Sequence, residues 1–243
     1  MERRDFVRLC ATGAVGSCAL AVAANSNATQ AIAGPLAPKR YTRAKLLDAH
    51  GAPLQASAIA INKNYVFFYP FQGTPCFLLN LGKALKPAPI KASGGAVYDW
   101  PGGVGRAQSV VAYSAICSHQ LTYPTRDISF ISFRSGRGGS GAVNQHADVI
   151  HCCSEHSQYD PALGAKVLAG PAPQPLAAIL LEHDAASDGL FAVGTLGGEV
   201  FNEFFHKYDM KLNLDMGGRA KQAAGDACSV MELDNYCRQQ VRC

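Results

Sequence analysis

Charge is scarce and scattered in this chain. Only 16% of its 243 residues are charged, 48% are apolar, and the formal net charge is +4. No dense Lys/Arg block and no basic helix stripe occurs, which excludes a nucleic-acid footprint. The same balance suits a folded domain and excludes a disordered one. No internal repeat is visible, so repeat architectures are set aside. Long apolar runs are missing too. The uncharged apolar stretch from Leu9 to Ala24 falls short of the ~20 residues that cross a bilayer comfortably, and no other segment comes closer. Cysteine, by contrast, is plentiful. The nine are Cys10, Cys18, Cys76, Cys117, Cys152, Cys153, Cys228, Cys237 and Cys243, an odd number that cannot all pair.

The amino end reads as an address. Arg3 and Arg4, followed by Phe6 and then by the uncharged stretch, resemble a twin-arginine export signal. Ala31-Ile32-Ala33 offers a small-x-small cleavage site, and an uncleaved segment would instead anchor the protein at the membrane. Residues 1–33 are therefore expected to be the signal or anchor, and 34–44, rich in Pro, Lys and Arg, a linker.

From residue 45 the chain reads as short strands broken by Gly, Pro and Asn, which points to an all-β antiparallel sandwich or barrel over 45–198. The expected strands are 44–47, 57–61, 65–69, 76–79, 109–116, 128–133, 148–151, 165–168, 178–182 and 190–193. Pro101-Gly102-Gly103 and the glycine-rich run from Ser135 to Gly141 read as surface loops. Beyond Gly198, Val200, Phe201, Phe204, Phe205 and Tyr208 recur at helical spacing, so 199–243 is expected to be a short helical or irregular tail with its aromatics packed on the domain.

Two motifs stand out. Cys117-Ser118-His119 ends one apolar strand, and Cys153-Ser154-Glu155-His156 ends another. Each sets a thiol and an imidazole on a loop just past a strand, where two loops can converge on one metal. Two Cys with two His suit tetrahedral zinc, and they equally suit an iron–sulfur centre. Cys152 lacks the two-residue gap to His156, and a strand neighbour of a ligand points to the opposite face, so it is expected to be a small core residue. Cys76 is expected to be buried and inert. His146, His151, His183 and His206 lack Cys partners at ligand spacing and read as surface or packed residues. In an exported tail, Cys228, Cys237 and Cys243 are disulfide candidates, as Cys228–Cys237 or Cys237–Cys243.

The paired motifs resemble those of the Rieske 2Fe–2S family. Ser157, Tyr159 and Asp160 follow His156, and Gly170-Pro171-Ala172-Pro173-Gln174-Pro175-Leu176 resembles that family's Pro-rich cover loop. The similarity spans roughly residues 45–195 and is strongest from 109 to 182. It implies one 2Fe–2S cluster on Cys117, His119, Cys153 and His156, with Ser157 and Tyr159 bonding cluster sulfur and Gly170, Pro171 and Pro173 in the cover. Two thiolates on one iron and two neutral imidazoles on the other lift the potential to roughly −150 to +300 mV, from near −400 mV in all-Cys plant-type clusters. The chain departs from quinol-oxidising members in three ways. Thr122 and Glu155 stand where those members carry a second, bridging Cys in each loop. The stretch from His156 to Asp160 is one residue shorter, and 33 residues separate His119 from Cys153.

The resemblance implies single-electron transfer in the periplasm, as a subunit of an oxidoreductase related to cytochrome bc-type or arsenite-oxidase-type small subunits. A free periplasmic carrier and a zinc-stabilised binding module are the alternatives. Expected partners are a c-type cytochrome or a larger oxidoreductase subunit, with quinol as a further candidate. An electron-transfer subunit is expected rather than a self-contained enzyme, because some 45 residues after the β domain leave no room for an oxygenase's mononuclear iron domain.

Overall fold

A computed structural model describes residues 36–136 and 146–243. The expected signal, its cleavage site and most of the glycine-rich loop lie outside the described residues. Among the described residues no helix is long and apolar enough to cross a membrane.

The chain is mostly β. In order, its strands are β1 (Lys39–Leu47), β2 (Tyr65–Phe68), β3 (Pro75–Asn80), β4 (Ala88–Lys91), β5 (Val97–Trp100), β6 (Val110–Ser114), β7 (Ile128–Ser129) and β8 (Ile131–Arg134). There follow β9 (Val149–Cys152), β10 (Ser157–Asp160), β11 (Lys166–Ala169), β12 (Ala178–Asp184) and β13 (Gly189–Leu196). Helices α1 (Phe201–Lys207) and α2 (Asp209–Met216) come next, then β14 (Ala227–Ser229), β15 (Met231–Glu232), α3 (Leu233–Tyr236) and β16 (Gln239–Gln240). An eight-stranded sheet runs β14-β1-β13-β12-β6-β3-β2-β15, and a four-stranded sheet runs β11-β10-β9-β8. Two further pairs, β4 with β5 and β16 with β7, complete the described ladders.

The two larger sheets share a core. Phe77, Val111 and Tyr113 of the large sheet cluster with Ile131, Ile150 and Tyr159 of the small one. Each fully buried Phe, Leu or Ile contributes about 1.5–3 kcal/mol. These apolar runs are strands because one face of each is covered, so the two-residue side-chain period separates core from surface. The opposite face of the large sheet buries Leu46, Phe67, Leu78 and Leu190 in a second cluster.

Several elements differ from the sequence expectations. Residues 39–44 of the expected linker are part of β1, which pairs with β13 from Lys39 onward. Residues 57–61, expected as a strand, carry a 3-10 turn at Ala56–Ala58 and a single bridge from Ile61 to Asn80. The hairpin of β4 and β5, and strand β10, lacked a long apolar run to announce them. The tail is not merely helical: β14 joins the large sheet parallel to β1, and β16 pairs parallel with β7.

Helix α1 forms where expected, and its place is informative. Phe201, Phe204 and Phe205 are buried with Ile116, beside Leu121 and Tyr123. The Tyr123 and Phe204 rings meet edge-on at 4.9 Å, and Lys207 Nζ donates to the Gln120 carbonyl at 2.6 Å. The tail helices thus brace the loop that follows β6, which carries the first motif.

Candidate metal centre

The two motifs sit on the two sheets. Cys117-Ser118-His119 follows β6 of the large sheet, and the second motif is the four-residue turn 153–156 between β9 and β10 of the small sheet. The first loop closes on itself: the Cys117 N–H donates to the Thr122 carbonyl at 2.8 Å and the Leu121 N–H to that of Cys117 at 2.9 Å.

The buried thiol beside Cys117 is Cys152. The two side chains hydrogen-bond to each other, and both residues are fully buried. Cys152 first, and then the Tyr159 hydroxyl and the His119 and Gln120 amides, draw Cys117 below the usual thiol range against the cost of burial. Cys152 is pushed up, because its proton is the one that serves Cys117. A pair of thiols that readily gives up one proton and holds the second suits a metal, which replaces both.

Tyr159 completes the pair. Its hydroxyl lies 3.2 Å from Cys117 Sγ and accepts the Ser118 N–H at 3.2 Å. Ser118 Oγ donates to the Gln174 carbonyl at 2.7 Å, which leaves the Tyr159 proton for sulfur. Burial, followed by the charge of Cys117, pushes Tyr159 well above the usual phenol range, so it stays a donor. Two further polar atoms point nowhere within the protein. His119 Nδ1 and Ser157 Oγ are buried and have no hydrogen-bond partner. Such orphans are rare in folded proteins, and an absent ion or cofactor is one of their ordinary explanations.

Cys153 stands elsewhere. It forms a disulfide with Cys243, with Cα atoms 5.7 Å apart and the two residues 90 positions apart in sequence. This corrects two expectations. Cys153 is bonded to Cys243 instead of standing as a free thiol, and Cys243 pairs with neither of its tail neighbours. Cys228 Sγ instead donates to the Phe68 carbonyl at 3.2 Å and Cys237 Sγ to that of Gln239 at 2.8 Å, both as free thiols. The reason is strand parity. Cys152 pairs with Ile131 on one side and Ser157 on the other, so its side chain faces the core while Cys153 turns outward.

His156 is exposed, in left-handed backbone (φ 58°), at the corner of the turn. Its ring centroid lies 5.9 Å from that of His151, and a ring nitrogen of each lies within 4.8 Å of the other and of Cys243 Sγ. Burial, then the neighbouring Arg134 and His156, hold His151 down at about 4, so its neutral Nδ1 accepts from Arg134 at 3.1 Å. His151 was expected to be a packed residue and is one.

The proline-rich segment lies on both loops. Gly170 (φ +85°) sits so close to the second turn that a Cβ there would fall 2.6 Å from Ser157 Cα and 2.7 Å from the His156 carbonyl oxygen. Only glycine fits that approach. At the other end, the Gln174 carbonyl holds Ser118 of the first loop.

No family model matches the sequence. Among solved structures, the soluble domain of the Rieske protein II (soxF) from Sulfolobus acidocaldarius is similar, with 27% identity over 64% of this chain and 78% of that chain, at a TM-score of 0.46. So loose a superposition says nothing of cofactor or activity, which rest on the side chains described above.

Proposed function

We propose that Cys117 and Cys152, as thiolates, and His119 and His156, as neutral imidazoles, hold one Rieske-type 2Fe–2S cluster through which the protein passes single electrons. The observation that carries this reading is the buried Cys117–Cys152 pair, with the Tyr159 hydroxyl on one sulfur and the orphan His119 Nδ1 and Ser157 Oγ in the same two loops. When bound, such a cluster accepts and returns one electron at a potential lifted by its neutral imidazole ligands. The rest is done by the chain. His119 offers its buried, unpartnered Nδ1 as the atom that would hold the cluster. Tyr159 and Ser157 carry hydroxyls that favour added negative charge on sulfur. The segment from Gly170 to Gln174 packs against both loops and holds them in place.

The setting we propose is extracytoplasmic, as an electron-transfer subunit of a periplasm-facing oxidoreductase with a c-type cytochrome or larger subunit as partner. Its support is the Cys153–Cys243 disulfide, since such bonds persist mainly in oxidising compartments, together with the twin-arginine pattern.

Iron and acid-labile sulfide analysis, with EPR of the dithionite-reduced protein, tests the cofactor. Colourless protein carrying zinc and no sulfide would overturn it in favour of a binding module. Comparison of Cys152→Ser with Cys153→Ser tests the ligand. The first is expected to abolish the visible spectrum and the second to retain it; the reverse would return the second thiolate to Cys153.

A further inference from the structure

The second ligand loop is exposed over residues 154–156 and spans only the turn between β9 and β10. Gly170 holds it from one side. From the other side it is held by the last residues of the chain. The Arg238 N–H donates to the Arg126 carbonyl at 2.9 Å, β16 lies parallel to β7, and the Val241 N–H donates to the Ser129 carbonyl at 2.8 Å. This course carries Cys243 to Cys153, where the disulfide closes.

Arg134, at the end of β8, is the hub of the arrangement. Its Nη1 donates to the Cys243 carbonyl at 2.8 Å and to His151 Nδ1 at 3.1 Å, and its Nη2 donates to the Val241 carbonyl at 3.1 Å and reaches Cys153 Sγ. One planar guanidinium therefore ties together the tail, the strand before the turn and the first residue of the turn, a use that its fixed fork of donors allows and a lysine's point charge does not.

We propose that residues 238–243 form a strap that positions the second ligand loop, with the Cys153–Cys243 bond and Arg134 as its two anchors. The proposal rests on the cluster reading for what the loop holds, but the strap itself is a property of the chain. It assigns Cys153 a positioning role beside the thiolate at Cys152.

The test uses full-length protein purified without reductant. Alkylation and non-reducing peptide mapping are expected to find Cys153 joined to Cys243 in both metal-free and iron-loaded protein. Hydrogen exchange of the 153–157 amides is expected to quicken about tenfold in Cys243→Ser, as local opening becomes easier, with β3 amides unchanged. Arg134→Lys, which keeps the charge and loses the fork, is expected to quicken the same amides. In iron-loaded protein both variants are expected to alter the EPR line shape of the reduced state and to hasten bleaching by a chelator. Unaltered exchange in both variants, or mapping that finds Cys153 unbridged, would overturn the strap. Exchange that responds in a protein that binds no iron and sulfide, as purified or after reconstitution, would uphold the strap and sink the cluster reading instead.

Discussion

Tyr159→Phe removes a single oxygen from a fully buried ring and has two separable consequences. In metal-free protein the Ser118 N–H loses the acceptor it meets at 3.2 Å, and Cys117 Sγ loses its donor at the same distance. An unpaired buried N–H costs about 1–3 kcal/mol. At about 2–4 °C per kcal/mol for a chain of this size, the melting temperature should fall by several degrees. In iron-loaded protein the hydroxyl donates to a charged sulfur, a bond of about 1.5–3 kcal/mol. Only the part that differs between oxidation states moves the potential. If half does, about 0.75–1.5 kcal/mol, the midpoint falls by about 30–65 mV, since 59 mV corresponds to a tenfold change for one electron. Protein-film voltammetry measures the midpoint and calorimetry the melting temperature. A midpoint unmoved in a variant whose melting temperature does fall would refute the assignment of the Tyr159 proton to cluster sulfur.

Three further outcomes are expected. Ser157→Ala deletes a buried hydroxyl that lacks a protein partner, so metal-free stability should hold or rise slightly while the midpoint of the loaded protein drops, as melting and voltammetry would show. Gly170→Ala forces a Cβ to within 2.6 Å of Ser157 Cα in left-handed backbone, at a cost of about 1–3 kcal/mol, and should lower both melting temperature and iron content. Asp188 accepts the Ser57 N–H at 2.9 Å and meets His183 Nε2 at 2.8 Å, and the Ser57 bonds first, then His183, hold its carboxyl well below the usual range. A depressed carboxyl stabilises the fold in full above about pH 5 and loses that contribution as the pH falls, so Asp188→Asn should melt lower at neutral pH and show a flatter acid decline.

Much of this site is legible in the sequence because its parts are local. Two apolar runs each end in a Cys and a His, Tyr159 lies three residues past His156, and a glycine and three prolines mark the cover loop. Helix α1 shows through the spacing of its phenylalanines. Short polar strands such as β10 do not, since their pairing is decided by the neighbouring strands β9 and β11 rather than by their own composition.

By itself the sequence determined that two loops, each bearing sulfur and imidazole, follow strands of a β domain. The two-residue gap to His156 selected Cys153 as the second sulfur and left Cys152 to the core, whereas the structure buries Cys152 beside Cys117 and bonds Cys153 to Cys243. Adjacent strand residues face opposite ways, and which face is interior depends on where the other sheet packs. Nor could the sequence bring Cys243 to Cys153 across 90 residues, because that contact is made by β16 running along β7 and by the Arg134 guanidinium, long-range pairings that exist only once the sheets have assembled.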